Sequence, residues 1–195
     1  VIGCGAGVTA GAVSINPMVS SVTIAEIEPL VPRVAGRYFG AHNYHVIDSP
    51  KVTLRIDDGR HFLLTTDRKF DAITSDPLDT WVKGSATLYT REFFEEAKRH
   101  LKPGGVVTVW AELYESGEPA VKSAVATFLG VFPNGVIFGN PDRGRGYDMV
   151  LVGHAEPMRI NIASVEQRLS RPDFAAVAHS LSEIGFHSAV DLFST

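Results

Sequence analysis

Four short apolar runs are separated by segments with helical signals. They are Val22-Thr23-Ile24-Ala25, Val52-Thr53-Leu54-Arg55-Ile56, Phe70-Asp71-Ala72-Ile73-Thr74 and Val106 to Trp110. This alternation constrains the fold more than any other feature, because strands joined through helices at this spacing pair in parallel. The helices read as Val8 to Ile15, Leu30 to Phe39, a short run through Leu64, and Arg91 to Leu101. Pro29 suits a helix start, as do Thr90 as N-cap and Glu92 in the first turn. Lys102-Pro103-Gly104-Gly105 reads as the turn into the strand at Val106, and Ala120 to Val131 as a further helix. Gly135 to Phe138 and Asp148 to Val152 read as two closing strands, joined by a loop from Asn140 to Gly146. The expected fold is α/β: a doubly wound, mostly parallel Rossmann-like sheet with an antiparallel edge strand.

The 195 residues suit one large domain, taken as residues 1–155, with 156–195 a helical extension of no legible chemistry. Hydrophobic residues make up 45% and charged residues 21%, which fits a packed domain rather than a disordered one. A net charge of −4 with no basic block argues against nucleic acid as a partner. The single cysteine, Cys4, cannot form an internal disulfide, so a reducing, cytoplasmic setting is expected. No run approaches the roughly 18–20 apolar residues of a membrane span, and no signal peptide opens the chain. Only Val1 and Ile2 precede the first glycine, and there is no initiator Met. A parallel strand normally supplies about 4–8 residues there, so the first strand is expected to be cut short.

Acids and glycines collect where the strands end, and open α/β sheets bind ligands outside the carboxyl ends of their strands. Gly3-Cys4-Gly5-Ala6-Gly7 lets backbone approach a ligand closely, since glycine has no Cβ. Alone, it is equally a plain strand-to-helix turn. Glu26, roughly 20 residues on, stands where an acid accepts bonds from both ribose hydroxyls, and the pairing favours a nucleoside. Val8 and Thr9 follow Gly7 where the dinucleotide fingerprint continues toward another glycine. A sulfonium nucleoside of the adenosylmethionine kind is therefore favoured over a nicotinamide cofactor. Asp58-Gly59 places a second acid at a strand end, suited to the adenine amine or to capping the helix that follows. Asp76 and Asp79 follow the strand at 70–74 and suit a cationic substrate, although Asp and Pro also form turns. A carboxylate against the sheet edge is expected to be desolvated unless paired, which favours function for Asp76. His42, His45, His61 and His100 show no metal spacing with Cys4, so no metal is expected.

With these landmarks, residues 1–152 resemble the spermidine synthase family of aminopropyltransferases. The resemblance rests on the glycine loop, Glu26-Ile27-Glu28, Asp58-Gly59-Arg60-His61-Phe62, Asp76-x-x-Asp79 and Leu101-Lys102-Pro103-Gly104-Gly105. Trp81-Val82-Lys83-Gly84, Leu88 to Phe94, and Tyr38-Phe39-Gly40-Ala41-His42-Asn43 look like a bacterial branch of that family. In that branch the domain is fused to an N-terminal multi-span membrane region, which implies a tether through a region absent here. The resemblance also implies the methyltransferase-type sheet, and decarboxylated S-adenosylmethionine (or S-adenosylmethionine) as co-substrate with no metal. The implied acceptor is a di- or polyamine such as putrescine; a homodimer is left open. Position by position, Gly3, Gly5, Gly7, Glu26, Asp58 and Gly59 would serve the nucleoside, with Glu26 on the ribose and Asp58 on the adenine amine. Asp76 would hold and orient the attacking amine, Asp79 would bind the polyamine, and Tyr89 lies in the segment that lines this pocket. Two departures stand out. Ala6 occupies the place of an Asp that in established synthases contacts the amine of the aminopropyl group. Asp76-Pro77-Leu78-Asp79-Thr80 replaces the usual Asp-Ser-Ser-Asp-Pro run.

Three functions remain open on these residues. They are aminopropyl transfer, methyl transfer from intact S-adenosylmethionine, and non-catalytic nucleoside or polyamine binding beside a membrane partner. Asp76 and Asp79 together favour the first, while Ala6 favours the other two. No basic partner for the methionine carboxylate is evident, which disfavours the second. The stretch from Trp81 to Leu88 is expected to close over the amine as a mobile lid.

Overall fold

The computed structural model describes residues 1–76, 82, 84–114, 116–142 and 145–194, with residues 140–142, 145 and 146 described by backbone alone. The chain folds as two compact units. One comprises Val1, Gly3–Asp57 and Arg159–Thr195; the other comprises Ile2 and Asp58–Met158.

In the first unit, α1 (Val8–Ser14) leads to β1 (Val22–Glu26), α2 (Leu30–Tyr38) and β2 (Val52–Ile56). β1 and β2 are parallel, in register from Val22 opposite Val52 to Glu26 opposite Ile56. On the other flank of β1, Ala25 donates to the Val1 carbonyl at 2.9 Å and accepts from the Gly3 amide at 2.8 Å. With neighbours on both sides, β1 buries Val22, Ile24 and Ala25, as the near-continuous apolar run of an inner parallel strand requires. Pro32 falls in the first turn of α2, where a missing N–H leaves no helical bond unmade. Cys4, Ala10, Val22, Ile24, Ala35 and Val46 form the core of this unit. The C-terminal residues add α6 (Ile162–Leu169), α7 (Ala175–Glu183) and α8 (Ala189–Phe193). Asn161 caps the start of α6 and Ser188 that of α8, and the Ala189 amide donates to the Glu166 carboxylate at 2.7 Å.

In the second unit, α3 (Gly59–Thr65), β3 (Phe70–Ser75), α4 (Arg91–Arg99), β4 (Leu101–Glu112), α5 (Glu118–Val131), β5 (Val136–Asp142) and β6 (Arg145–His154) follow in order. The sheet order is β3-β4-β6-β5, with β3 and β4 parallel and β6 antiparallel to both β4 and β5. The expected antiparallel closure is present, with β6 one place inside and β5 forming the edge. Ile2 pairs in parallel with Ser75 on the far flank of β3. α4 buries Phe93, Phe94, Glu96 and Ala97, one face at helical spacing, and His100 is buried at its C-cap. Phe94 meets Phe128 edge-on at 5.1 Å between centroids, and Phe128 lies 5.0 Å from Phe132. Val107, Val109 and Leu151 complete this core from the sheet.

Several boundaries differ from expectation, each for a local reason. The helix expected to reach Leu101 stops at Arg99, because Leu101 already pairs with Phe70. The Lys102-Pro103-Gly104-Gly105 turn survives inside β4 as a register shift between Phe70 and Ala72, with Gly104 left-handed at φ 76°. The loop expected from Asn140 to Gly146 is largely ladder. Asp142 pairs with Arg145, and a register shift falls between Asn140 and Pro141 on the edge strand, where proline is tolerated. Among the described residues no helix is long and apolar enough to cross a membrane.

Gly153 shows how tightly the second core is packed. A Cβ there would lie 2.6 Å from Phe132 Cγ and 2.8 Å from Phe128 Cζ, and both rings are fully buried. Neither is a flexible side-chain end that could swing away. Gly153→Ala should therefore cost about 1–3 kcal/mol of stability in denaturant unfolding, the usual range for overpacking. Gly139→Ala, where a Cβ meets nothing within 4 Å, should be close to neutral.

Candidate functional site

In the first unit, the glycine loop takes three left-handed turns, with φ 83° at Gly3, 50° at Gly5 and 82° at Gly7. Glycine adopts these angles without the penalty that a Cβ imposes. The Gly7 amide donates to the Cys4 carbonyl at 2.8 Å and closes the loop. A Cβ on Gly5 would meet nothing within 4 Å, so backbone is open to a ligand there. Glu26 is buried at the end of β1. Its Oε2 accepts from the Cys4 amide at 2.7 Å and its Oε1 from the Glu28 amide at 2.9 Å. Two backbone donors offset the desolvation of a buried carboxylate. Each oxygen keeps further acceptor capacity, which is what a pair of ribose hydroxyls needs.

Two further residues bear on this loop. Burial, and secondarily the Glu26 charge, push the Cys4 thiol up to about 11. It is a buried packing residue, as its small apolar character suggests. Asn43, fully buried, donates from Nδ2 to the Ala6 carbonyl at 2.8 Å and to the Ala35 carbonyl at 3.2 Å. Asn43 was visible only as part of the Tyr38 to Asn43 segment. No local signal shows a side chain reaching 37 residues back along the chain.

In the second unit, Asp58 does what a helix N-cap does. Its Oδ1 accepts from the Arg60 and His61 amides, both at 2.9 Å, and the residue is exposed. Gly59 has a packing reason to be glycine, since a Cβ would stand 2.4 Å from Ile2 Cγ2. Asp76 follows directly on β3 and is exposed. The premise that it is desolvated against the sheet edge does not hold; Ser75 before it is the buried residue. Asp79 and Trp81 lie outside the described residues. The end of the segment expected as a lid, Trp81 to Leu88, runs into a short 3-10 helix, Ser85–Tyr89, with Ser85 and Tyr89 buried. Tyr89 belongs to the core, and its hydroxyl donates to the Trp110 carbonyl at 2.8 Å, holding the end of β4.

The end of β4 carries acids that strand-end reasoning could have found and did not. Glu112 is buried, and its Oε1 accepts from the Ser116 hydroxyl at 2.9 Å. Asp148 stands directly opposite it across the ladder, with Oδ2 accepting from Trp110 Nε1 at 3.0 Å. Tyr114 and Tyr147 stack beside them with centroids 4.6 Å apart. Among the described residues no group of three His, Cys, Asp or Glu is placed to hold a metal.

The Cys4 and Glu26 geometry makes a test. The folded thiol keeps its proton between 9.0 and about 11, while an unfolded one loses it. Its contribution to stability is therefore intact below 9.0 and lost as the pH climbs to about 11. Iodoacetamide should leave Cys4 of the native protein unmodified near neutral pH. Glu26→Gln removes the nearby charge and should speed alkylation at a given pH. Neutral-pH alkylation at the rate of a free cysteine would contradict this account.

Comparison with known proteins agrees with the geometry. A family profile for the spermine/spermidine synthase domain matches residues 1–138. A polyamine aminopropyltransferase of Enterobacter sp. (strain 638) is 39% identical over 106 residues, covering 54% of this chain and 36% of that protein. The chain thus spans little more than a third of the curated relative it matches. A spermidine synthase in complex with the transition-state analogue AdoDATO superposes with a TM-score of 0.70 at 19% identity, over 93% of this chain and 66% of the other. Human methyltransferase-like protein 13 in complex with SAH superposes with a TM-score of 0.63 at 21% identity, over 93% of this chain and 78% of the other. These likenesses give the fold, an α/β sheet of the spermidine synthase and methyltransferase type. With the family profile extending over most of its length, the chain belongs to the spermine/spermidine synthase family.

Proposed function

We propose that this chain carries the nucleoside-binding and transfer machinery of a polyamine aminopropyltransferase. It would move an aminopropyl group from decarboxylated S-adenosylmethionine to a di- or polyamine such as putrescine. The observation that carries this reading is the buried Glu26 carboxylate, bonded to the amide of the glycine loop at 2.7 Å, in a chain of this family. Glu26 is the group for the ribose hydroxyls and Asp58 Oδ2 for the adenine amine. The AdoDATO and SAH of the two structural neighbours support a nucleoside of this kind.

The chemistry asks little of the protein beyond placement. The amine nitrogen attacks the carbon beside the sulfonium, and the C–S bond breaks with its electron pair passing to sulfur. Methylthioadenosine leaves, and the new ammonium gives up a proton. A sulfonium leaves readily, so proximity and orientation do most of the work. The difficulty is the acceptor, since an alkylammonium with a pKa near that of Lys, about 10.4, is almost fully protonated at neutral pH. Asp76 is the carboxylate proposed to hold that cation and receive its proton. Asp79 is proposed to hold the distal ammonium.

Two substitutions separate binding from transfer. Glu26→Ala should weaken methylthioadenosine binding by about 1–3 kcal/mol in calorimetry, the range for charged hydrogen-bond partners left unmade. Asp76→Asn should leave that binding intact and lower turnover of decarboxylated S-adenosylmethionine with putrescine by roughly 10²–10⁴-fold. Wild-type turnover should rise with pH as the amine loses its proton, and the profile should change in the variant. Full activity of Asp76→Asn would refute the transfer mechanism. Nucleoside binding without turnover of any amine would establish a binding domain instead, and methylation of an acceptor from intact S-adenosylmethionine would establish a methyltransferase.

A further inference from the structure

The glycine loop is gripped from two sides, and only one grip belongs to the residues proposed to meet the nucleoside. Glu26 holds the Cys4 amide. Two residues further on, Asn43 holds the Ala6 carbonyl with one N–H of its side-chain amide and the Ala35 carbonyl, inside α2, with the other. Between the two grips stands Gly5, whose missing Cβ faces open space. We propose that Asn43 is a positioning residue for nucleoside binding, setting the Gly5–Gly7 backbone by donating two hydrogen bonds. The proposal rests on the nucleoside reading of this loop.

Asn43 is built into place by the backbone around it. The residue is fully buried. A Cβ on Gly7 would lie 2.9 Å from its Nδ2, and a Cβ on Gly11 would lie 2.4 Å from its backbone oxygen. Both glycines are therefore required by Asn43, not only by a ligand. The next two residues, Tyr44 and His45, hold left-handed φ of 57° and 52°. Non-glycine residues in that region are strained, and such strain persists only where the surroundings over-determine it. The Asn43 amide donates to the Phe39 carbonyl at 2.9 Å, and its carbonyl accepts from the Val46 amide at 3.1 Å, so the turn is pinned at both ends. α1 begins at Gly7 with no side-chain cap. Its first turn is therefore oriented from outside the helix, by the contacts at Cys4, Ala6 and Gly11. The required chemistry is specific: both carbonyls are acceptors, so the side chain at 43 must supply two donors, and asparagine does so within a short reach.

Asn43→Asp keeps the shape and inverts the chemistry, since a carboxylate facing two carbonyls has no donor. Protonation would restore one. The residues bonded to Asn43 or close against it, Ala6, Gly7, Gly11, Ala35, Phe39 and Val46, carry no titratable side chain. His42, Tyr44 and His45 are its titratable neighbours in sequence, and the His45 ring lies against Gly40. The wild type, which has all of these, is therefore the control for their titration. The affinity of the full chain for methylthioadenosine should be measured by calorimetry between about pH 8 and about pH 5.5, on either side of the histidine range. Asn43→Asp should bind roughly tenfold more weakly at the upper end, as expected for buried acceptors losing their donor. The deficit relative to wild type should shrink as the pH falls. Equal affinity at high pH, or a deficit that does not change with pH, would overturn the proposal. Should the variant fail to fold, hydrogen exchange of the Asn43 side-chain N–H groups in the wild type decides. Slowing on addition of methylthioadenosine is expected, and unchanged exchange would overturn it. A wild type that does not bind methylthioadenosine at all would sink the nucleoside reading and this proposal together. Wild-type binding with an unaffected variant would sink this proposal alone.

Discussion

The bond between the Cys4 amide and the buried Glu26 carboxylate ties together most of what the first unit does. A carboxylate out of water is costly unless donors replace its hydration. At the end of β1, backbone amides from Cys4 and Glu28 are the donors that do so. Meeting that requirement fixes where the glycine loop must lie relative to β1. The loop then hands its geometry to α1, which starts at Val8 without a cap of its own. β1 can supply such a fixed point because it is held on both flanks, by β2 through a five-residue register and by Val1 and Gly3 through Ala25. The same carboxylate raises the thiol of Cys4, after burial, and so keeps the loop's one sulfur neutral.

The second unit solves a different problem. Its phenylalanines, Phe93, Phe94, Phe128 and Phe132, fill the space between α4, α5 and the sheet so closely that Gly153 admits no side chain. This rigidity sits behind strand ends that carry exposed or polar groups: Asp58 capping α3, Asp76 after β3, and Glu112 opposite Asp148 at the end of β4. Charged groups able to meet a ligand are held by elements whose other faces are committed to the core. Tyr89 links the two tasks, with its ring in the core and its hydroxyl on the Trp110 carbonyl.

How much of this was legible depended on whether the cause was local. The strand Val52–Ile56 matches its apolar run, and Asp58 reads as a cap because the cap and its donors are neighbours in sequence. Period and turn chemistry report such short-range causes well. The end of α4 was misread because Leu101 answers to its partner Phe70, not to helix propensity. The turn at Lys102 to Gly105 was identified correctly as irregular but not as part of a strand, since the pairing on either side is tertiary. Asn43 escaped notice for the same reason, as its partner Ala6 is 37 residues away. The exposure of Asp76 was misjudged because a strand-end position does not determine how far the next residue steps out of the sheet. Glu112 was legible by the reasoning applied to Glu26. The apolar run stops at Trp110, two residues before β4 ends at Glu112, so apolar patterning does not reach it.

Ala6 separates two jobs that a family-level reading would merge. The loop's shape is carried by backbone atoms: the amides of Gly3, Cys4 and Gly7 and the carbonyls of Cys4 and Ala6. None of these bonds uses the side chain at position 6, so Ala is compatible with an intact nucleoside grip. What Ala lacks is a charge. An aspartate there would attract the ammonium of an aminopropyl group and repel the carboxylate of intact S-adenosylmethionine, each by about 1–4 kcal/mol at about 4 Å in a partly solvated site. Alanine does neither, so under the proposed activity this position gives no charge-based discrimination between the two nucleosides.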